Sequence, residues 1–424
     1  MPDGSVCQVL PWTLRNGALE LHYATPVGRF TESITFPVDI PDSGSTRRVI
    51  DLLAMVASVS YAKAAGRGAI DMGELPVTAA AATLLEGLFD EGMREFAHQN
   101  NLDLRSTFTT IARTSATASA SPPPATDRSV LVPMGGGRDS AVVATALSQL
   151  QPVLMSVGSN PHAASIAKRL SRPLMVVTRT IDPALIALNA SGAPNGHVPV
   201  TAINSLIALV LAGALGTTMV AMANEASASA PTRVHRGTPI NHQYSKSMRC
   251  ESDIRAALDE AGSGIEYFSV LRNRSDAEIA RVFMEKCAPL HTAFMSCNRA
   301  MIRDAARRSD GWCTECPKCL SVFLSLAPHT TPAHMVEMFG ANLLDDPGHI
   351  AGFAALLDPG DKPFECVGDV AEAQLAMTAL RDDPRWQGHA VVSQVAFDPV
   401  PATAPGTDHH MPPDVARTME TFFS

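Results

Sequence analysis

Several features are scarce in this chain, and each absence narrows its function. Aromatic side chains make up only 5% of the 424 residues, and Lys plus Arg (33) are outnumbered by Asp plus Glu (42). The resulting net charge of −9 argues against a general nucleic-acid binder, because neutralising phosphates needs a basic face. A local basic pocket for a small anion remains compatible with this balance.

A secretory leader and a long apolar run are also missing. The first residues, MPDGSVCQVLPWTLRNG, contain no basic segment followed by an apolar core. The most apolar stretch, residues 200–215, is short for a membrane span and contains Asn204 and Ser205. Pro199 and Gly216 predict where this buried helix begins and ends. We therefore expect a cytoplasmic protein with neither a membrane nor a nucleic acid as partner.

The most informative stretch is residues 130–140, VLVPMGGGRDS. A β-branched run is followed by three glycines and then by a helical pattern, which is the layout of a phosphate-binding loop. No Gly-Lys-Ser/Thr follows at Walker A spacing. The stretch instead resembles the PP-loop, SGGxDS, of ATP pyrophosphatases, with Met134 in place of the first serine. An ordinary strand–turn–helix connection is the alternative.

The chain is long enough for two or three domains. Alternating strands near 19–23 and 32–38, followed by helical patterns at 46–65 and 80–100, predict an N-terminal α+β domain over 1–105. Residues 106–128 are rich in Ser, Thr, Ala and Pro, including Pro122, Pro123 and Pro124, and predict a linker. A catalytic domain over 129–330 and a mostly helical C-terminal region over 331–424 complete the prediction.

Strand and helix patterns alternate from residue 129 onward. Predicted strands cover 130–134, 152–157, 174–178 and 217–222; predicted helices cover 140–150, 162–171 and 200–215. Such alternation predicts an α/β fold with a parallel sheet, and ligands bind such sheets beyond the carboxyl ends of the strands. The three glycines at 135–137, called the glycine loop below, lie at one of these ends.

Two polar stretches follow the predicted sheet. Asn224-Glu225 comes directly after the fourth strand, and residues 241–247, NHQYSKS, lie farther on, with Arg233, His235 and Arg236 upstream. A core segment would not carry so many unpaired charges, whereas a solvated surface loop could. The position of Glu225 favours a site, because it should emerge beside the glycine loop. Residues 362–368, KPFECVG, are interpreted only as a loop after a turn.

Cysteines cluster late in the chain. Cys297 is followed by Cys313, Cys316 and Cys319 in the sequence WCTECPKC, which offers four thiolates with the Cys-x-x-Cys spacing of a tetrahedral Zn²⁺ site. Iron–sulfur clusters use similar spacing, and redox-active or simply packed cysteines are the alternatives. Cys297 is the most remote ligand of this set.

Taken together, several motifs resemble the MurL family of bacterial peptidoglycan synthesis. They are GGGRDS (135–140), NGHVPVTAINS (195–205), NEASAS (224–229), NHQYSKS (241–247), EYFSVLR (266–272), SCNR (296–299), WCTECPKC (312–319) and KPFECVG (362–368). The resemblance implies an ATP- and Mg²⁺-dependent epimerase that inverts the terminal L-Glu of UDP-MurNAc-L-Ala-L-Glu to D-Glu, releasing AMP and diphosphate. It also implies a PP-loop (HUP-type) core.

The implied chemistry assigns roles to residues of these motifs. Residues expected to hold ATP are Gly135, Gly136, Gly137, Arg138, Asp139 and Ser140. Asp139 is placed to hold Mg²⁺, and Arg138 or Lys246 could offset developing charge. Residues proposed for catalysis are His242, Tyr244, Lys246 and Glu225, with His235 behind them. Structural zinc on the four cysteines is a further expectation.

Other functions share parts of this pattern. An adenylating ligase or amide-forming PP-loop enzyme would use the same loop but need ammonia or another acceptor. A nucleotide-sensing module would bind ATP without releasing pyrophosphate. The same epimerisation could also act on a different peptide.

Overall fold

The fold is that of a computed structural model, which describes residues 6–119, 128–302, 308–402 and 404–424. The three prolines of the predicted linker lie outside these ranges. The strands of the described residues are β1 (Val6–Arg15), β2 (Ala18–Thr25), β3 (Gly28–Thr35), β4 (Gly68–Asp71), β5 (Pro76–Val77), β6 (Phe108–Ile111), β7 (Thr114–Ser115), β8 (Val130–Pro133), β9 (Val153–Val157), β10 (Leu174–Thr180), β11 (Met219–Met222), β12 (Arg233–His235), β13 (Thr238–Ile240) and β14 (Glu266–Ser269).

Helices account for most of the remaining regular structure. They are α1 (Gly44–Ala57), α2 (Val59–Ala62), α3 (Ala79–Phe89), α4 (Arg94–Gln99), α5 (Arg138–Ala146), α6 (Pro161–Arg169), α7 (Pro183–Ala190), α8 (Val200–Leu215), α9 (Met248–Glu260), α10 (Asp276–Lys286), α11 (Pro317–Leu326), α12 (Pro332–Phe339), α13 (Ile350–Leu357), α14 (Val370–Asp382), α15 (Ala390–Gln394) and α16 (Pro413–Phe423). The C-terminal region is helical, as predicted. Among the described residues, no helix combines the length and apolar character needed to cross a bilayer.

Ten strands form one sheet in the order β14-β11-β8-β9-β10-β3-β2-β1-β4-β6. The five strands from β14 to β10 run parallel. From β8 the chain adds β9 and β10 on one side of the sheet and then β11 and β14 on the other, so the strand order reverses between β8 and β11. Ligands of doubly wound sheets bind at such a switch point. The glycine loop follows β8, and Glu225 follows β11 closely, so the sheet brings these two predicted sites to the same edge.

The N-terminal strands continue this sheet. β3 pairs antiparallel with β10, placing Thr35 opposite Thr178 and Ser33 opposite Thr180. At this junction the Arg179 guanidinium donates to the Glu32 carboxylate, with Nε 2.7 Å from Oε1, and both side chains are almost fully buried. The two predicted N-terminal and catalytic domains therefore share one sheet.

Most of the predicted elements are confirmed, including the four parallel strands and the helix from Val200 to Leu215 that ends at Gly216 in the left-handed conformation. Several strands were not predicted, among them β4 and β14 of the main sheet. The predicted linker carries the short strands β6 and β7 within the part that the structure describes. β1 was not predicted, because Pro11 interrupts its pattern; the pairing of β1 with β2 shifts register between Leu10 and Thr13, where a strand tolerates proline.

Most of the core consists of two large apolar clusters, which take alternate residues of the parallel strands and so lie on opposite faces of that part of the sheet. The first joins the N-terminal helices with α8 and α9, and the second joins α5 and α10 with the C-terminal helices. α8 is apolar over most of its surface because its central turns pack inside the first cluster. The N-terminal part is thus packed directly against the helix that leads into β11.

We predict that Glu32→Gln lowers the free energy of unfolding by about 3–5 kcal/mol, because Arg179 would keep its charge in a buried position without a carboxylate. Chemical denaturation measures the loss. The control is Glu285→Gln, which removes the more exposed carboxylate paired with Arg281 and should cost less than about 1 kcal/mol. Equal losses in both variants would contradict a stabilising role for the buried pair.

Candidate active site

A cavity of about 420 Å³ lies beyond the carboxyl ends of β8, β9 and β11. The glycine loop and the start of α5 form one part of its lining, and Lys246, Lys318 and Cys366 belong to a second part, called the facing wall below. Three separate stretches of the chain therefore meet over the loop. The strand pattern of the sequence predicted a ligand at this place, beyond the carboxyl ends of the parallel strands.

The glycine loop depends on the lack of side chains at two positions. Gly136 has φ +77°, and a Cβ there would lie 3.0 Å from Asn160 Oδ1. A Cβ on Gly137 would lie 2.8 Å from Ser296 Oγ, whereas Gly135 has no neighbouring heavy atom within 4 Å of that position. The loop packs closely against its neighbours at Gly136 and Gly137, and it is open to the cavity at Gly135. An anion can approach the backbone there, close to the N-terminus of α5.

Asn160 holds the loop from the connection between β9 and α6, a role that no sequence motif indicated. Its Nδ2 donates to Gly135 O at 3.0 Å, while its Oδ1 accepts from the backbone N–H groups of His162 and Ala163 at 3.0 Å. One amide thus caps α6 and fixes the glycine loop.

Arg138 is buried and serves the site from behind. Its Nε donates to Asp139 at 2.7 Å, its Nη1 to Ser325 at 2.8 Å, and its Nη2 to Asp276 at 2.5 Å. Since all three nitrogens have partners, the side chain orients Asp139 toward the cavity. Ser140 donates from Oγ to Gly137 O at 3.1 Å and closes the first turn of α5.

Carboxylates gather beside Arg138. Burial and the nearby charges of Asp276 and Asp139 raise the pKa of Glu225 to about 7, and its Oε2 has no hydrogen-bond partner. Burial, Asp276 and Glu225 likewise raise the pKa of Glu372 to about 8. This acidic cluster (Asp139, Glu225, Asp276, Glu372) contains more negative charge than Arg138 neutralises. Carboxylate oxygens are the preferred ligands of Mg²⁺, so Asp139 and Glu225 could hold that ion.

A second cluster, the thiol cluster (Glu95, His242, Lys246, Cys366), lies at the facing wall. Lys246 Nζ is 3.3 Å from Cys366 Sγ, and His242 Nδ1 is 2.5 Å from Glu95 Oε2. The His242 ring also lies 4.5 Å from that of His197. Lys246 lies in a short 3₁₀ turn just before α9, while Glu95 belongs to α4, so the N-terminal part contributes directly to this wall.

The charges of the thiol cluster depend on one another. Burial opposes ionisation of Cys366, but the Lys246 charge and a hydrogen bond from His242 outweigh it and lower the pKa of the thiol to about 5. Burial also opposes a charged His242, but hydrogen bonds to Cys366 and Glu95 raise its pKa to about 9. The Cys366 charge is the main cause that raises the pKa of Lys246. At neutral pH the cluster therefore holds a thiolate between two cations.

Two residues from the predicted catalytic set lie away from the cavity. Tyr244 packs its hydroxyl against Gly87 of α3, where any side chain would collide with it, and burial raises its pKa well above the usual value. His235 lies on β12 with its ring 4.7 Å from that of His98. Lys246 lines the cavity and His242 supports it, so the structure gathers only part of the predicted set.

The four predicted cysteine ligands come together in a cysteine tetrad (Cys297, Cys313, Cys316, Cys319). All four Sγ atoms lie within 4.8 Å of one another, and the pairs 297–316, 313–319 and 316–319 are 4.0, 3.7 and 3.4 Å apart. Four sulfur ligands at about 2.3 Å from zinc lie about 3.8 Å apart in a tetrahedron. None of the four is in a disulfide, so the donor set fits a tetrahedral ion.

The tetrad is joined to the glycine loop through the chain. Just before Cys297, the Met295 N–H donates to Gly136 O at 2.8 Å, and Ser296 packs against Gly137. Asn298 and Lys318, each next to a tetrad cysteine, line the cavity. An ion held by the tetrad would therefore brace both the loop and part of the facing wall.

Comparison with known proteins adds to this geometry. Residues 10–270 match the family model of the MurL N-terminal domain, and residues 293–410 match that of the MurL C-terminal domain. Relatives named UDP-N-acetyl-alpha-D-muramoyl-L-alanyl-L-glutamate epimerase come from Micromonospora sp. (40% identical, 92% of this chain and 91% of the relative), Salinispora tropica (39%, 89% and 83%) and Xanthomonas oryzae pv. oryzae (34%, 90% and 87%). No solved structure matches the chain, so the PP-loop likeness of its core stays a prediction.

We predict that Gly136→Ala lowers the free energy of unfolding by about 1–3 kcal/mol, because alanine is strained at positive φ and its Cβ would press on Asn160. The matched control is Gly135→Ala in the same loop, where a Cβ meets nothing; we expect a change below about 0.5 kcal/mol. Chemical denaturation of both variants measures the difference. Equal stability of the two would contradict the close packing behind the loop.

Proposed function

The chain belongs to the MurL family of epimerases, and we propose that it inverts the terminal L-Glu of UDP-MurNAc-L-Ala-L-Glu to D-Glu, with ATP as second substrate. The observation that carries this proposal is the shared cavity: the glycine loop and two members of the thiol cluster, Lys246 and Cys366, line the same space of about 420 Å³. A site for activating a carboxylate and a site for moving a proton thus lie within reach of one substrate. Such a product belongs to the synthesis of a peptidoglycan precursor.

The reaction needs activation for an electrostatic reason. Removing the α-proton from a free carboxylate would place a second negative charge beside the first. Joining the carboxylate to AMP removes its charge and makes the carbonyl an acceptor for the electron pair. Each unit by which activation lowers the pKa of the α-carbon reduces the cost of deprotonation by about 1.4 kcal/mol. Cleavage of ATP to AMP and diphosphate therefore drives an otherwise prohibitive step.

The residues of the cavity suit these tasks. The open backbone at Gly135 and the N-terminus of α5 suit the phosphates of ATP, and Arg138 holds Asp139 at the same edge. The acidic cluster would repel those phosphates unless a divalent cation lay between them. Mg²⁺ bound by Asp139 and Glu225 would supply that charge, and the raised pKa and unpartnered Oε2 of Glu225 are consistent with an ion at this position.

The protonation states refine the roles of the predicted bases. Lys246 and His242 are held as cations at neutral pH, so they suit donation of protons and stabilisation of the enolate oxygen better than abstraction. Tyr244 has no place in this scheme because it lies outside the cavity. Glu225 belongs with the acidic cluster beside the glycine loop, where its neighbours are Asp276 and Asp139.

Zinc on the cysteine tetrad is a separate part of the proposal. Its role would be structural, because four protein sulfurs fill a tetrahedral shell and leave no open position for a substrate. The hydrogen bond from Met295 to Gly136 carries the effect of the ion to the glycine loop.

The first prediction concerns the reaction itself. The protein incubated with ATP, Mg²⁺ and UDP-MurNAc-L-Ala-L-Glu in D₂O should form AMP, diphosphate and D-Glu with deuterium at Cα. Mass spectrometry and chiral analysis of the hydrolysed glutamate measure both. Release of diphosphate without inversion, together with formation of an amide when ammonia is added, would favour the ligase instead. ATP binding without diphosphate would favour a sensing module, and inversion without ATP would contradict the adenylate.

A substitution at the start of α5 tests whether adenylation takes place there. Asp139→Asn should slow diphosphate release by about 10²-fold or more, because a preorganised charge at the nucleotide is lost. The matched control, Asp408→Asn, changes an exposed residue of the C-terminal segment and should behave as the unsubstituted protein.

A separate prediction concerns the metal content of the cysteine tetrad. The purified protein should contain one zinc per chain by elemental analysis, and Cys319→Ser should lose it. Cys7→Ser, which changes a buried cysteine of β1 remote from the tetrad, should retain the metal. Full zinc content in Cys319→Ser would contradict four-cysteine ligation.

A further inference from the structure

Cys366 belongs to a stretch whose sequence indicated only a loop, yet it lies at the centre of the facing wall. Five side chains that line the cavity in the described part of the chain can ionise: Arg138, Asp139, Lys246, Lys318 and Cys366. Arginine and lysine carry protons at neutral pH and serve as donors. Asp139 is tied to Arg138 at the nucleotide loop. The thiol of Cys366 is therefore the group of this cavity best placed to accept a proton.

We propose that Cys366 is the base that removes the α-proton of the activated glutamyl group, with Lys246 and His242 as positioning residues that hold its sulfur as a thiolate. This proposal rests on the proposed function, because it needs an activated carboxylate in the cavity. The comparisons assign no role to this cysteine. Its sulfur faces the same space as the glycine loop and is 3.3 Å from Lys246 Nζ.

The proton and electrons balance without a further reactant. The α C–H bond breaks, the proton forms an S–H bond with Sγ, and the electron pair moves into the adenylated carbonyl to give an enolate. A proton from a donor in exchange with water then forms the new C–H bond on the opposite face. The thiol returns its proton to water, and hydrolysis of the adenylate releases AMP. The product therefore carries one solvent hydrogen at Cα.

The surroundings of Cys366 come from four parts of the chain. Lys246 precedes α9, His242 lies four residues earlier, Lys318 belongs to the first turn of α11, and Glu365 is adjacent in the loop. Glu95 of α4 lies behind His242 and anchors its ring. Three cations thus face the sulfur, and both carboxylates are directed to other partners: Glu365 accepts from Asn298 Nδ2 at 2.6 Å. The balance of charge favours the thiolate.

The position of Lys246 has a consequence for the second face. A group 3.3 Å from the sulfur cannot stand across a tetrahedral carbon from it. Lys246 therefore acts on the same side as Cys366, where its ammonium stabilises both the thiolate and the enolate oxygen. The donor for the opposite face must come from another part of the cavity or from water.

One experiment needs no substrate. Alkylation of the whole protein by iodoacetamide, followed by mass spectrometry of the peptide that contains Cys366, should give a pH profile with a midpoint near 5. Lys246→Met should move this midpoint upward by at least about one pH unit, because the nearest cation is lost. Cys7, whose pKa burial raises to about 12, is the internal control and should not react below pH 8. A Cys366 midpoint of 8 or above would overturn the thiolate.

A second experiment tests the catalytic role. Cys366→Ser should retain the exchange of labelled diphosphate into ATP within about tenfold, while loss of α-deuterium from labelled substrate and formation of D-Glu fall by about 10³-fold. Cys7→Ser, with the same chemical change far from the cavity, is the matched control. Inversion by Cys366→Ser at a rate close to that of the unsubstituted protein would overturn the proposal. A covalent thioester between Cys366 and the glutamyl group would also overturn it in favour of a nucleophile.

Failure of the proposed function and failure of the role proposed for Cys366 give different results. If the unsubstituted protein neither exchanges diphosphate nor inverts the peptide, the proposed function fails, whatever the alkylation profile. If the unsubstituted protein inverts the peptide and Cys366→Ser does so as well, the function stands and the role of Cys366 fails.

Discussion

The antiparallel pairing of β3 with β10 is the constraint on which the rest of the molecule depends. It extends a five-stranded parallel sheet into ten strands and fixes the N-terminal helices against α8. The buried Glu32–Arg179 pair lies at this seam, where either charge alone would be costly. Because of this pairing, α4 reaches the edge of the sheet that carries the candidate site, and Glu95 meets His242. The site is therefore built by both halves of the chain rather than by the parallel sheet alone.

Charged groups of both signs gather around the cavity. On the nucleotide side, the acidic cluster exceeds the charge of Arg138, and burial raises the pKa of Glu225 and Glu372. On the facing side, cations outnumber the thiolate that they stabilise. In the proposed reaction, a carboxylate substrate would be drawn to these cations, while a metal–nucleotide complex would suit the acidic cluster. The two sets of charges would then help to orient both substrates before any bond changes.

The sequence predicted local features better than contacts between distant segments. Glycine spacing, β-branched runs and Gly216 each act within a few residues, and the parallel strands and α8 follow from them. The tetrad was also predictable, because Cys-x-x-Cys spacing is a local signature. Glu95 and Cys366 left no such signal: they lie 147 and 124 residues from His242, and only the folded sheet brings the three together. Tyr244 was predicted as catalytic from its polar motif, whereas in the fold α3 lacks a side chain at Gly87 and leaves a pocket for its hydroxyl.

A strongly stabilised thiolate is a weak base, and this weakness fits the proposed order of events. The two cations that hold Cys366 ionised at neutral pH also reduce its affinity for a proton, so it could not deprotonate an unactivated carboxylate. Activation at the glycine loop lowers the demand on the base, and the Lys246 ammonium beside the sulfur lowers it further by attracting the enolate oxygen. Proton abstraction would then occur only after the carboxylate has been joined to AMP. In the proposed order of events, the same weakness would spare unactivated glutamyl peptides from inversion.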